Sequence, residues 1–174
     1  MMKEQNKHKT NQYITELKER VLREVNQNPK KIINGFFGEY RWLSNFHPCN
    51  IEFDGFIYPS TEHAYMAMKT FNLEEREKIR SNNNPSFARK YGQTISLRQD
   101  WETVKIECMR FCLEQKFKKG TELGDKLIAT GNAMVVEGNW WCCNFWGSCV
   151  CDRCGNKGQN NLGKLLTQIR EGIK

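Results

Sequence analysis

The chain has 174 residues, 39% of them hydrophobic and 11% aromatic, enough for one well-buried core and too few for two. No apolar run approaches the roughly 20 residues needed to cross a bilayer, and the basic start (Lys3, Lys7, His8, Lys9) has no apolar block behind it as a secretory signal would, so a cytoplasmic chain is expected. Its eight cysteines are then reduced thiols rather than a secreted disulfide scaffold, and a formal charge of +7 favours phosphates, nucleotides or nucleic acid as partners.

From Thr10 to Gln27, Ile14, Leu17, Val21 and Val25 share one helical stripe, with Lys18, Glu19, Arg20, Arg23 and Glu24 outside it. Residues 1–33 are read as an N-terminal amphipathic appendage and 34–174 as the main domain. Asn34-Gly35 marks a turn. Ile51–Phe53 and Phe56–Tyr58 flank Asp54-Gly55, a two-residue hairpin signal of type I′. After Pro59, Ser60 or Thr61 is placed to cap a helix over Glu62–Phe71 with Ala64, Met68 and Phe71 available for burial. Short helices are expected over 74–80 and 86–91, the second ended by Gly92. Asp100 is a candidate cap for a longer helix over 101–117, whose Val104, Cys108, Phe111 and Cys112 share a face. Glu122–Ala129 is the next helix, stopped at Gly131. Met134–Glu137 reads as a strand and Leu162–Ile169 as a last helix. Runs of helices around a few strands point to a helix-rich α+β single domain with a small antiparallel sheet.

Five groups of residues carry candidate chemistry. Glu62 and Lys69, seven residues apart on one predicted helix, point to the same side. That pair suits gripping a ligand, yet an acid at a helix start and a lysine at its end also stabilise any helix. Arg41-Trp42-Leu43-Ser44-Asn45-Phe46 mixes flat rings with an amide, as a ribose- or base-binding loop would, and equally as a core corner would. The stretch Glu137 to Gly147, with three tryptophans, reads as a pocket wall in preference to a buried cluster. Cys151 and Cys154 have the spacing of a zinc knuckle, with Cys149 and either Cys142 or Cys143 able to complete four ligands. No second such pair or following histidine is present, so metal-free thiols are preferred and no cofactor is expected. Gly158-Gln159-Asn160-Asn161-Leu162-Gly163-Lys164 opens the last helix, where backbone amides can hold a phosphate, although the spacing is not that of a nucleotide-triphosphate loop.

In order along the chain, Phe37-Gly38-Glu39-Tyr40, Leu43-Ser44-Asn45-Phe46 and Tyr58-Pro59-Ser60-Thr61-Glu62-His63-Ala64-Tyr65 with Lys69 resemble the opening signature of the NADAR superfamily. Lys90-Tyr91-Gly92, Arg98-Gln99-Asp100-Trp101, Thr130-Gly131-Asn132, Val136-Glu137, Trp146-Gly147 and Gly158-x-Asn160-x-Leu162-Gly163 continue it to the C-terminus. The resemblance implies a compact α+β catalytic domain that hydrolyses N-glycosides, either ribosylamino pyrimidine phosphates of riboflavin synthesis or ADP-ribose on guanine. It also implies a pocket holding the glutamate and lysine of the Glu62 to Lys69 helix, the lysine attacking the sugar. One departure is Cys143, where many members carry an aspartate, with Glu137 or Asp152 as the substitute acid.

Resemblance and chemistry together give Lys69 as an amine nucleophile forming a Schiff base and Glu62 as proton carrier. Ser44, Asn45, Phe46, Trp101, Glu137 and Trp146 would contact the substrate, and Arg41 with the turn at Gly158 and Asn160 its phosphate. Two rivals from other classes are a noncatalytic ADP-ribose sensor and a basic, zinc-stapled nucleic-acid-binding module. The partner is thus a small nucleotide-like molecule or ADP-ribosylated guanine in nucleic acid, and not a membrane.

Overall fold

The computed structural model describes residues 32–174 and, before them, Gln12, Thr15, Glu16 and Glu19, which are helical and exposed. The remainder of the expected amphipathic appendage lies outside the described residues. In chain order the first elements are β1 (Ile32–Asn34), a 3₁₀ turn (Gly38–Leu43), β2 (Pro48–Phe53), β3 (Phe56–Ser60), α1 (Thr61–Ala67), α2 (Leu73–Arg80) and α3 (Pro85–Tyr91). Then follow α4 (Trp101–Lys116), α5 (Glu122–Ala129), β4 (Met134–Val136), β5 (Gly138–Asn139), β6 (Ser148–Cys149) and α6 (Asn161–Ile173). This is an α+β fold. Its strands form three two-stranded ladders, of which only β2–β3 is antiparallel, while β1–β4 and β5–β6 are parallel. The parallel pairs escape a sequence reading because strands of two or three residues have no measurable period.

Two units make up the described chain. The first comprises Arg41–Ala129 and Ile169–Lys174. Its hairpin turns at Asp54 and Gly55, whose φ of 55° and 78° are the two positive values a type I′ turn requires. Helix α1 lies at its centre, packed against both hairpin strands and against α2, α3 and α4, and all seven of its residues are buried. Ser60, in an extended conformation, caps it by accepting from the His63 N–H.

This helix is shorter than the sequence suggests. It ends at Ala67 because the N–H groups of Lys69 and Thr70 turn back only three residues, to the carbonyls of Met66 and Ala67 (3.2 and 3.4 Å); beyond that turn Arg98 N–H bonds the Lys69 oxygen (2.8 Å) and Arg76 Nε the Thr70 oxygen (2.8 Å). Phe71 is therefore outside the helix and 64% exposed, under the Arg98 guanidinium, instead of in the core. Asp100 precedes α4 but makes no capping bond, since both its oxygens are held by Arg98 (2.5 and 2.7 Å). The buried stripe of α4 is Trp101, Met109, Cys112, Leu113 and Lys116, and Phe111 faces outward.

The second unit comprises Thr130–Gln168 and the described residues up to Tyr40. Here β1 lies beside β4, Ile33 opposite Val135, and both are buried. Leu162, Leu165 and Leu166 of α6 are buried as their spacing predicts.

A methyl group added at Gly55 would meet no atom within 4 Å, so the penalty of Gly55→Ala is conformational alone. The variant is expected to be destabilised by about 1 kcal/mol, read as a lower urea midpoint at unchanged slope.

Candidate active site

The sequence points to Glu62, and the fold explains why it is unusual. A carboxylate at the first turn of a helix is favoured by the helix dipole, but α1 is buried throughout and Glu62 is only 7% exposed. Loss of solvent pushes its carboxyl up to about 7, and the nearby charges of Arg89 and Lys69 and a hydrogen bond from Asn45 only partly oppose that rise. Asn45 is fixed in turn: its carbonyl accepts the Glu62 N–H (3.0 Å) and its Nδ2 lies 3.6 Å from Met109 Sδ. The Asn45 Oδ1 is buried and has no hydrogen-bonding partner among the described residues.

Lys69 reaches the same neighbourhood by a route different from the one expected. It sits two residues past the end of α1, in a tight turn closed by its own N–H to the Met66 carbonyl (3.2 Å). Its Nζ donates to the Gly92 carbonyl at 2.5 Å and lies 6.0 Å from the centroid of the Trp101 ring. Partial burial lowers the affinity of the amine for its proton, and the Glu62 charge works against that. Gly92 packs closely on Met66, and a Cβ there would strike that side chain at 2.5–2.9 Å. Trp101, itself buried, packs against Tyr65 with ring centroids 5.1 Å apart.

His63 neighbours Glu62 but is committed to the fold. Its two ring nitrogens contact Ser60 Oγ and the Asn82 carbonyl, each at 2.7 Å. Lys116 is a buried amine that the sequence reading passed over. Its Nζ donates to the Ser44 carbonyl (2.7 Å), and burial brings it down to about 7. It thereby pins the loop that carries Asn45, together with Ser44 Oγ, which accepts the Phe46 N–H. Arg89, on α3, was also missed, since nothing local marks one arginine of a short helix. Arg41 is exposed and Phe46 half-buried. A hollow of about 500 Å³ is lined by Thr70, Phe71, Arg98 and Asp100 among others, and includes neither Glu62 nor Lys69. Burial and charge, not that hollow, mark the acid and the amine.

Asn45, Glu62, Lys69 and Trp101 are thus brought together in the first unit. Glu137, Trp146, Gly158 and Asn160 belong to the second. The phosphate site expected at the start of α6 is not available. The N–H groups of Gln159, Asn160, Asn161 and Leu162 are donated in turn to the carbonyls of Asn144, Gly147, Phe145 and Trp146. Asn160, at φ 51°, accepts the Glu137 N–H and donates to the Val135 carbonyl, so its amide fastens the end of β4. Gly158 is there because any side chain would run into the Gly147 carbonyl at 2.0 Å. Trp146 packs edge-on to Phe145, while Trp140 stacks on Phe37 and covers Cys149, Val150 and Cys151. Cys143, at the position of the family aspartate, exchanges backbone hydrogen bonds with the Asn139 side chain, and Asp152 is exposed. Among the described residues no helix is long and apolar enough to cross a membrane.

The model of the NADAR domain matches residues 35–174. The chain belongs to the NADAR family. The N-glycosidase YbiA of Escherichia coli (strain K12) is 38% identical over 137 residues, covering 78% of this chain and 82% of that protein. Its NMR structure superposes with a TM-score of 0.71 at 36% identity, over 83% of this chain and 85% of that one. A riboflavin biosynthesis protein of Vibrio vulnificus (strain YJ016) is 34% identical over 137 residues, 76% of this chain but only 35% of that longer protein. Like YbiA, this NADAR chain is an N-glycosyl hydrolase, and a small-molecule substrate goes with that activity.

Glu62 gives the site a stability signature. Its folded-state value lies above the 4.5 of a free glutamate, so its contribution to stability is fully present below pH 4.5 and is lost as pH rises through about 7. Glu62→Gln keeps the shape without the charge. It is expected to match the parent near pH 4 and to exceed it by on the order of 2–3 kcal/mol at pH 8, measured by denaturant titration at both pH values, while turnover is lost.

Proposed function

We propose that the chain cleaves the N-glycosidic bond between a base-like ring and a phosphorylated or ADP-linked ribose, with Lys69 as nucleophile and Glu62 as proton carrier. The observation that carries this reading is the pairing of a buried carboxyl group with a half-buried amine, each displaced toward neutral pH by loss of solvent. At neutral pH such a carboxyl group is present both protonated and ionised, which lets one residue donate and accept within a single cycle. An amine with reduced proton affinity has its lone pair free more of the time.

The steps balance without an external cofactor. The neutral Lys69 amine adds to the anomeric carbon, and the bond from that carbon to the base breaks with its electron pair remaining on the base nitrogen. Glu62 supplies the proton that nitrogen needs. The sugar ring opens as its own C–O bond breaks, the electron pair staying on the ring oxygen, which takes the proton that the lysine nitrogen gives up, and a Lys69 iminium remains. Water adds to the iminium carbon while the Glu62 carboxylate removes a proton, and the carbon–lysine bond then breaks to release the sugar aldehyde and the free amine. Asn45 holds Glu62 and offers Oδ1 as an acceptor for a substrate hydroxyl. The Trp101 face keeps the amine poorly solvated. Ser44 and Phe46 shape the loop around Asn45, and Arg41 is the exposed cation placed to attract phosphate.

Two substrate classes share this bond. The likeness to a riboflavin biosynthesis protein of Vibrio vulnificus favours ribosylamino pyrimidine phosphates, whereas the +7 charge favours ADP-ribosylated guanine in nucleic acid. Incubation with both, followed by mass spectrometry of the liberated base, distinguishes them. For the mechanism, Lys69→Ala and Lys69→Arg are both expected to lower kcat by about three orders of magnitude or more. Arginine keeps the charge but cannot form the imine. Borohydride should trap a sugar adduct on the parent and on neither variant, and normal turnover in folded Lys69→Ala would refute the nucleophile.

A further inference from the structure

The cysteines of the second unit are not scattered as free thiols would be. The sulfurs of Cys142, Cys149, Cys151 and Cys154 all lie within 4.8 Å of one another, and Cys142 Sγ is 3.7 Å from Cys151 Sγ. A tetrahedral ion with metal–sulfur bonds of about 2.3 Å places its ligands about 3.8 Å apart. A disulfide requires about 2.05 Å, and no pair is bonded. An iron–sulfur cluster spreads its cysteine ligands over separate iron atoms, which so tight a group does not accommodate. The sequence left Cys142 and Cys143 as alternatives for the fourth ligand. The fold places Cys142 in the group and turns Cys143 to the Asn139 amide.

The surroundings suit thiolates. Three donors approach three different sulfurs: Arg153 Nη2 to Cys142 (2.7 Å), the Cys142 N–H to Cys149 (3.3 Å) and Asn144 Nδ2 to Cys154 (3.2 Å). Such outer contacts orient metal ligands and disperse the negative charge that four thiolates leave on a divalent ion. The chain between them is shaped for the purpose as well. Cys154 and Gly155 both donate to the Cys151 carbonyl and Asn156 to that of Cys149, a tight turn made with φ of 56° at Gly155 and 60° at Asn156. Cys142 itself has φ 61°, a conformation that a side-chain-bearing residue keeps only where several contacts over-determine it.

We infer that Cys142, Cys149, Cys151 and Cys154 form a closed, structural zinc site that fastens the segment from β5 to the start of α6. Four protein thiolates leave no position for water or substrate, so the ion supplies folding free energy and takes no part in glycoside hydrolysis. The small β5–β6 ladder, only two residues long on each side, is held at its end by this knot.

The test is metal analysis of the full chain, purified without chelator and again after reduction and zinc reconstitution. One zinc per chain is expected for the parent and for Cys143→Ser. In Cys151→Ser and Cys154→Ser, affinity measured against a competing chelator should weaken more than about tenfold. Because a ligand variant can lose its fold, cobalt titration of the reduced parent gives a second readout: intense thiolate charge-transfer bands with the visible bands of a tetrahedral ion, unchanged in Cys143→Ser. No zinc after reconstitution together with no cobalt bands, or zinc undiminished in folded Cys154→Ser, would overturn the site. Stoichiometric iron in the purified chain would overturn its identity as zinc.

Discussion

The site depends on taking helix α1 entirely out of water while its second residue is a glutamate. Seven buried residues in the middle of the first unit supply the packing that makes this tolerable, since Ala64, Tyr65, Met66 and Ala67 each add apolar contact. The carboxyl group opposes that packing. Ordinary proteins keep such a group at the surface or pair it fully; here Asn45, Arg89 and Lys69 only partly offset the burial. The helix thus holds a carboxyl group in an unfavourable environment that brings its proton equilibrium close to neutral pH.

The neighbours of α1 each serve that arrangement. Ser60 caps the helix and, through His63, ties it to the Asn82 carbonyl. Arg98 and Arg76 take the carbonyls of Lys69 and Thr70 and so hold the turn by which the chain leaves the helix. That turn, rather than helical periodicity, sets the position of Lys69. Lys116 holds the Ser44 carbonyl from within the core, which fixes the loop carrying Asn45. The two amines therefore differ in setting, Lys69 half-buried beside Glu62 and Lys116 fully buried as a brace for the loop.

Much of the fold was legible because its signals are local. Asp54-Gly55 specifies its turn through φ alone, and Ser60 declares the start of α1 by side-chain geometry. Glu62, Lys69 and Asn45 were visible through the family's motifs. What escaped is tertiary. That Glu62 is buried depends on five elements closing round α1, and the turn after that helix is held by arginines 9 and 31 residues beyond Ala67 in the chain. Asn160 illustrates the converse. Its position at a helix start suggests anion binding, but the carbonyls of residues 144–147 already use the amides there, a pairing no local pattern shows.

The bond from Lys69 Nζ to the Gly92 carbonyl also bears on direction. An amine that gives one hydrogen to a fixed oxygen turns its lone pair away from that oxygen, so the carbonyl works as a compass needle for the nitrogen as well as a tether. Gly92 itself packs against Met66, whose side chain fills the place a β-carbon would take. A backbone oxygen on the smallest residue in the chain thereby sets how the Lys69 nitrogen is turned.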